Sequence, residues 1–289
     1  MKNLTVILGV LAIVSPALAG PINFFDSFEY AVGVGDPAYA ANWSVIGGAN
    51  RYPIQNRAYD DGVITNPWAL DGNMVAHAEM PSPTGGYGIS HSLGAIEATD
   101  ASPLVIDVDW HHIATTTRRQ TGFYLELSQG DVHAPAYSNT PLANPIPVIA
   151  VAAGFGLPDD NYRVFDGQQW SSHPAKLVSG KKQWNWNFVT MTLSDAGDPG
   201  VEDGVWLNVH IENNDSNPTY RVVGDKDFVL PMTQYDGETF DRVSFRSLEG
   251  ATQESIIDSI SVTGGNVIPE PATAVLIGLG CLLLRRRRT

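Results

Sequence analysis

The stretch Gly204-Val205-Trp206-Leu207-Asn208-Val209-His210-Ile211-Glu212 alternates with a period of two. Val205, Leu207, Val209 and Ile211 fall on one side of an extended chain, and Trp206, Asn208 and His210 on the other. A helical period would scatter the apolar set, so the stretch reads as a strand with one face on a core and one face toward water. The pattern recurs along the chain. In Trp186–Leu193, Val189, Met191 and Leu193 point inward while Trp186, Phe188 and Thr190 face away. In Leu104–His112, Ile106, Val108 and Trp110 oppose Asp107, Asp109 and His111. In Thr239–Ser247, Val243 and Phe245 point inward, with Arg242, Ser244 and Arg246 outward.

Further strands are expected at Phe24–Tyr30, Asn42–Ile46, Asn73–Glu79, Gly88–Leu93, Thr121–Ser128, Val148–Ala153, Asn161–Phe165 and Ser255–Thr263. Gly, Pro, Asn and Asp separate them, and Asp131 to Pro147 reads as a long surface loop. Short strands with few helices predict an all-β, two-sheet sandwich over residues 20–266. The body opens on Phe25-Asp26-Ser27-Phe28-Glu29 and closes on Ile257-Asp258-Ser259-Ile260-Ser261-Val262. This pair of motifs resembles the ends of the concanavalin-A/laminin-G-like jelly rolls. The resemblance implies a jelly-roll β-sandwich whose terminal strands pair side by side.

The two ends of the chain read differently from the body. Lys2, the apolar run Leu4 to Val14 and Ala17-Leu18-Ala19 form a secretory signal-peptide pattern over residues 1–19, with Ala17 and Ala19 marking the cleavage site. At the other end, Pro269-Glu270-Pro271 precedes an apolar run from Ala272 to Leu284, then Arg285, Arg286, Arg287 and Arg288. A helix over that run reaches roughly 20 Å, short of the ~20 residues of a lasting membrane span. The arginines orient it with the C-terminus in the cytoplasm and the body outside. Residues 267–289 resemble the PEP-CTERM sorting signal: Pro-Glu-Pro, transmembrane helix and arginine cluster. The resemblance implies an exosortase-type processing enzyme as partner, cleavage near Pro269–Pro271, and transient membrane attachment before delivery to the cell surface or extracellular matrix.

Charge and cysteine usage narrow the function. Without Lys2, Glu270 and the tail arginines, 12 basic and 30 acidic side chains remain. Such a body repels nucleic acid and anionic lipid. The single cysteine, Cys281, lies in the apolar tail, so the body has no disulfide, thiolate nucleophile or thiolate metal site. No H-x-H or H-E-x-x-H spacing links the histidines, and His77, His91, His133 and His173 read as surface or loop residues.

The outward positions of the strands form the candidate ligand face. Asp107, Asp109 and His111 share one side of their strand. If Gly204–Glu212 or Thr121–Ser128 lies alongside, Trp206, Asn208 and His210, or Tyr124 and Glu126, join them; Trp186 faces the same way on its own strand. Aromatic rings stack on apolar sugar faces, and carboxylates, amides and imidazoles bond hydroxyls, so the set suits a polysaccharide. Asp107 or Asp109 with Glu126 would be the carboxylate pair of a glycosidase if a cleft separated them, but no Glu-x-Asp-x-x-Glu strand motif is present. No cofactor is expected beyond a candidate structural calcium. Its oxygen ligands would be Asp26 and Asp258, which come together if the terminal strands pair. The reading is therefore a non-enzymatic exported protein, with a polysaccharide-active enzyme on the same fold and a ligand-free matrix component as alternatives.

Overall fold

The computed structural model describes residues 20–47, 52–56, 74–79, 87–114, 123–136, 138, 140–155, 161–176, 186–195, 204–213, 224–231, 239–247 and 253–268. The expected signal-peptide stretch with Ala17 and Ala19, and Pro269, Glu270, Pro271 and Arg285 to Arg288, lie outside the described residues. No helix among the described residues is long and apolar enough to cross a membrane.

In chain order the elements are β1 (Ile22–Asp26), α1 (Pro37–Asn42), β2 (Ser44–Ile46), β3 (Ile54–Asn56), β4 (Met74–Glu79), β5 (Tyr87–Glu97), β6 (Leu104–Ala114), β7 (Phe123–Ser128) and β8 (Val148–Phe155). They continue with β9 (Asn161–Phe165), β10 (Trp170–Lys176), β11 (Trp186–Asp195), β12 (Gly204–Asn213), β13 (Gly224–Pro231), β14 (Thr239–Ser247), β15 (Gln253–Gly264) and β16 (Asn266–Val267). The strands form two antiparallel sheets. The first runs β13-β12-β11-β6-β15-β4-β3, with β1 also on β15. The second runs β10-β9-β8-β7-β14-β5-β16, with β2 also on β5.

The core lies between them. Leu104, Ile106, Val108, Val189, Met191, Leu207, Val209, Ile260 and Val262 come from the first sheet. Ile89, Phe123, Leu125, Leu127, Ile149, Val151, Val243 and Phe245 come from the second. At about 1.5–3 kcal/mol for each fully buried side chain of this size, this interface is the main stabilising term in a body without disulfides. The jelly-roll expectation holds at its ends: β1 pairs β15 from Ile22↔Gly264 to Asp26↔Ile260. The crossing from β15 to β16 needs Gly264 (φ +79) and Gly265 (φ +58). A Cβ at Gly264 would lie 1.9 Å from the Pro103 carbonyl oxygen.

At two places a side-chain contact moves a boundary away from the sequence reading. The opening strand ends at Asp26, not Tyr30, because the Asp26 carboxylate accepts the Phe28 N–H and the Tyr30 hydroxyl and turns the chain out of the sheet. The stretch expected to begin a strand at Asn42 instead closes α1. Asp36 caps that helix through the Ala38 and Tyr39 amides, and Pro37 sits in its first turn.

Candidate functional site

The register of the first sheet gathers most of the expected ligand face. Across β1, β15, β6, β11 and β12 one row reads Phe25–Ser261–Asp107–Thr190–His210. The next reads Asn23–Thr263–Val105–Thr192–Asn208. Trp206 pairs Ser194 one row further on. On the other side of the Asp107 row, Asp109 pairs Ser259 and Phe188. These residues all face away from the core. Asp107 and Asn23 are exposed, and Asp109, Thr190, Trp206, Asn208 and His210 are half-buried. Asp107 accepts the Thr190 hydroxyl at 2.6 Å and the Ser261 hydroxyl at 3.4 Å. Asp109 accepts the Ser259 hydroxyl at 2.5 Å.

The face is long. Trp186 pairs His111, and Ser194, the partner of Trp206, lies eight positions along β11 from Trp186. At about 3.4 Å per residue the two tryptophan positions are about 27 Å apart along the strand. Ile256, opposite His111 on the same side of the sheet, is fully buried, so the open part of the face ends before that row.

Sequence reasoning missed Phe25, which is 64% exposed and stands in the Asp107 row. The available signal was the pair Phe24-Phe25 in an edge strand, since consecutive residues must face opposite sides. Phe24 takes the inner side and stacks on the His91 ring at 3.7 Å. Phe25 is therefore left outside.

Tyr124 and Glu126 do not belong to this face. Their strand, β7, lies in the second sheet between β14 and β8. All six of its residues are buried, because its outer side is covered by the segment that follows it. Val132, Ala134, Leu142 and Ile146 of that segment pack on Tyr124, Val148, Ala150 and Phe165 as a second apolar cluster. The expected surface loop is therefore partly a cover. Under it, Glu126 is bound by Arg246 through Nε and a terminal nitrogen, the latter at 2.7 Å. Glu126 also meets His133 Nδ1 at 2.9 Å and accepts the Ala134 N–H at 3.1 Å. The Arg246 guanidinium lies over the Tyr124 ring, 5.2 Å from its centre. Asp107 and Glu126 thus sit on the outer faces of opposite sheets with the core between them. Neither Asp107 nor Asp109 can face Glu126 across a cleft.

Asp26 and Asp258 are both buried. Asp26 binds three donors: the Phe28 N–H at 2.7 Å, the Tyr30 hydroxyl at 2.5 Å and Trp43 Nε1 at 2.7 Å. Asp258 sits at the register shift between Ile257 and Ser259. The described residues contain no group of three or more His, Cys, Asp or Glu side chains that could hold a metal ion. His91 is not a loop residue. It donates from Nδ1 to the Asn42 carbonyl at 2.8 Å, and burial holds its pKa below the ordinary histidine value. His133 contacts Glu126, as above. The side chains of His77, His111, His173 and Trp186 lie outside the described set.

The phenols of half-buried Tyr30 and fully buried Tyr52 make stability depend on alkaline pH. Burial, then the hydrogen bond to Asp26, raises the Tyr30 pKa above the ordinary phenol range, and burial does the same to the fully buried Tyr52. In the unfolded chain both ionise near pH ~10. Their contribution is therefore complete below about pH 10 and is lost as pH rises toward the folded values. Urea midpoints are expected to be flat from neutral pH to about 9 and to fall above about 10. Tyr30→Phe should remove part of the fall, and a slope unchanged by that variant would contradict the assignment to Tyr30.

No protein-family model matches the chain, and no curated protein matches it. Solved structures do share its fold. Lectin I from Ulex europaeus, in complex with the methyl glycoside of α-L-fucose, superposes with a TM-score of 0.52 at 10% identity, covering 84% of this chain and 98% of the lectin. Peanut lectin with a nine-residue peptide gives 0.51 at 14% identity, covering 86% and 100%. The lectin UEA-II complexed with galactose gives 0.50 at 9% identity, covering 84% and 98%. The chain has the lectin-type β-sandwich, in keeping with the concanavalin-A-like jelly roll expected from its terminal motifs.

Proposed function

We propose that the chain is an exported, non-catalytic carbohydrate-binding protein that takes a polysaccharide on the outer face of its first sheet. The observation that carries this reading is the single row Phe25–Ser261–Asp107–Thr190–His210, with Trp206 and Asn208 beside it. It combines an exposed aromatic ring with a line of hydroxyl, carboxylate and imidazole groups on a rigid sheet, the combination that stacks on sugar rings and bonds their hydroxyls. The lectin neighbours crystallised with galactose and with a fucoside add fold-level analogy. Export follows from the signal-peptide pattern and the PEP-CTERM-like tail. An exosortase-type enzyme would cut at Pro269–Pro271 and release the body from a transient membrane-bound state to the cell surface or matrix.

On a glycan array the chain is expected to bind polymers and long oligosaccharides in preference to monosaccharides, because the face spans several sugar units. Side chains supply these contacts, so binding should survive EDTA. Failure to bind any glycan would refute the reading and leave a ligand-free matrix component.

A further inference from the structure

The fixed charges at the outward positions of the open face are of one sign. Among those whose side chains are described, Asp107 and Asp109 are acidic and none is Lys or Arg. The β13 partners of Asn208 and His210 in the register are Asp227 and Asp225. The whole chain carries a formal charge of −14. A surface of this kind attracts cationic groups and repels uronate or sulfate polymers.

The face also has a direction. Phe25 sits on β1 and His210 on β12, four strand steps apart in one row. At about 4.8 Å per step the row is about 19 Å long, enough for several sugar units laid across the strands. Asp107, two steps from Phe25, is exposed and keeps acceptor capacity. A carboxylate offers about four lone-pair sites, and the Thr190 and Ser261 hydroxyls occupy two. Both hydroxyls hold the carboxylate in place on the sheet, and the β1–β15 pairing holds the Phe25 backbone. The arrangement is preorganised, which lowers the entropy cost of binding.

We infer that the occupant is a polysaccharide bearing protonated amino groups, laid across the strands, with one sugar stacked on Phe25 and an ammonium group about two strands further on at Asp107. This rests on the carbohydrate-binding reading and adds the chemical class and the direction of the polymer. Asp109, one row away and bonded to Ser259, lies within reach of a neighbouring unit.

The test uses the full chain, with calorimetry at mildly acidic pH and low salt. The probes are a glucosamine hexamer, its fully N-acetylated counterpart and polygalacturonate. The free-amine hexamer should bind at least tenfold more tightly than the acetylated one, and polygalacturonate should not bind. Added salt should erase the advantage. Asp107→Asn, a substitution of equal size on an exposed position, should abolish the preference for the free-amine hexamer. Phe25→Ala should weaken both hexamers by roughly tenfold, about the stabilisation a stacked ring provides. Equal binding of the two hexamers, unaffected by Asp107→Asn, would overturn the amino-sugar inference while the glycan reading stands. Absence of binding to every glycan would refute both. A concentration-dependent dimer that Phe25→Ala dissociates, with no glycan bound, would assign the face to a second copy and overturn the inference as well.

Discussion

Glu126→Ala is expected to lower the free energy of unfolding by roughly 3–5 kcal/mol, the range for breaking a buried ion pair from one side. Glu126 is fully buried and its partner Arg246 is 6% exposed. Removing the carboxylate would leave a guanidinium under the cover with, among the described residues, the Ala134 carbonyl and the Tyr124 ring as partners. It would also orphan the Ala134 N–H and release His133. The effect should be local as well as global. The segment after β7 is tied down by these contacts, by the Asp131–Arg242 pair and by the bond from the Gly130 N–H to Asp241. Limited proteolysis should therefore cut residues 130–136 faster in the variant. Two results separate this account from a simple cavity. The double variant Glu126→Leu, Arg246→Met should recover most of the loss, because it removes the charge problem instead of halving it. A loss below about 1 kcal/mol in Glu126→Ala would mean the pair is hydrated and the cover open.

The same cluster explains what the sequence could and could not disclose. Alternation identifies which side of a strand a residue takes, and it did so for Asp107, Trp206, Asn208 and His210. It does not say whether that side meets water. In β7, Tyr124 and Glu126 alternate with Phe123, Leu125 and Leu127, so they read as solvent-facing; the covering segment makes them a second interior. The hint was in that segment, where Val132, Leu142 and Ile146 recur in a stretch otherwise rich in Pro and Ala. Strand order was likewise hidden. Asp107 lies between β11 and β15, and no local pattern on β6 selects those neighbours over β7, because the pairings join residues far apart in sequence, from Trp186↔His111 to Gly264↔Leu104. The terminal pairing was legible because both partners carry a marked motif. Phe25 was in plain view within that motif, but its outward orientation became clear only when β15 fixed which side of β1 meets the core.

Asp26 presents the other large expected loss. It ends β1 and sits at the start of the segment that leads to α1. Its carboxylate binds three donors that come from different places: a backbone amide two residues on, a phenol four residues on and an indole seventeen residues on. The Phe28 amide matters most for the chain path, since Phe28 holds φ +55, a left-handed conformation that costs a non-glycine residue about 1–2 kcal/mol. Asp26→Ala would remove the group that offsets this strain and leave the buried Phe28 amide and Trp43 indole N–H without their acceptor. Each such orphaned donor costs about 1–3 kcal/mol, while the half-buried Tyr30 hydroxyl keeps the bond it accepts from Asn42 and can donate to water instead. A total of about 3–4 kcal/mol is expected, since costs within one network are not additive. Trp43 packs on Phe28 and Phe245, so its fluorescence should shift to longer wavelength as the cluster loosens. Tyr30→Phe supplies the comparison: it removes one donor, leaves the other two bonds intact, and should cost only about 1 kcal/mol. If Tyr30→Phe cost as much as Asp26→Ala, the phenol would be the anchor and the carboxylate a bystander. If Asp26→Ala cost under about 1 kcal/mol, the left-handed turn at Phe28 would have to be held by packing against Trp43 alone.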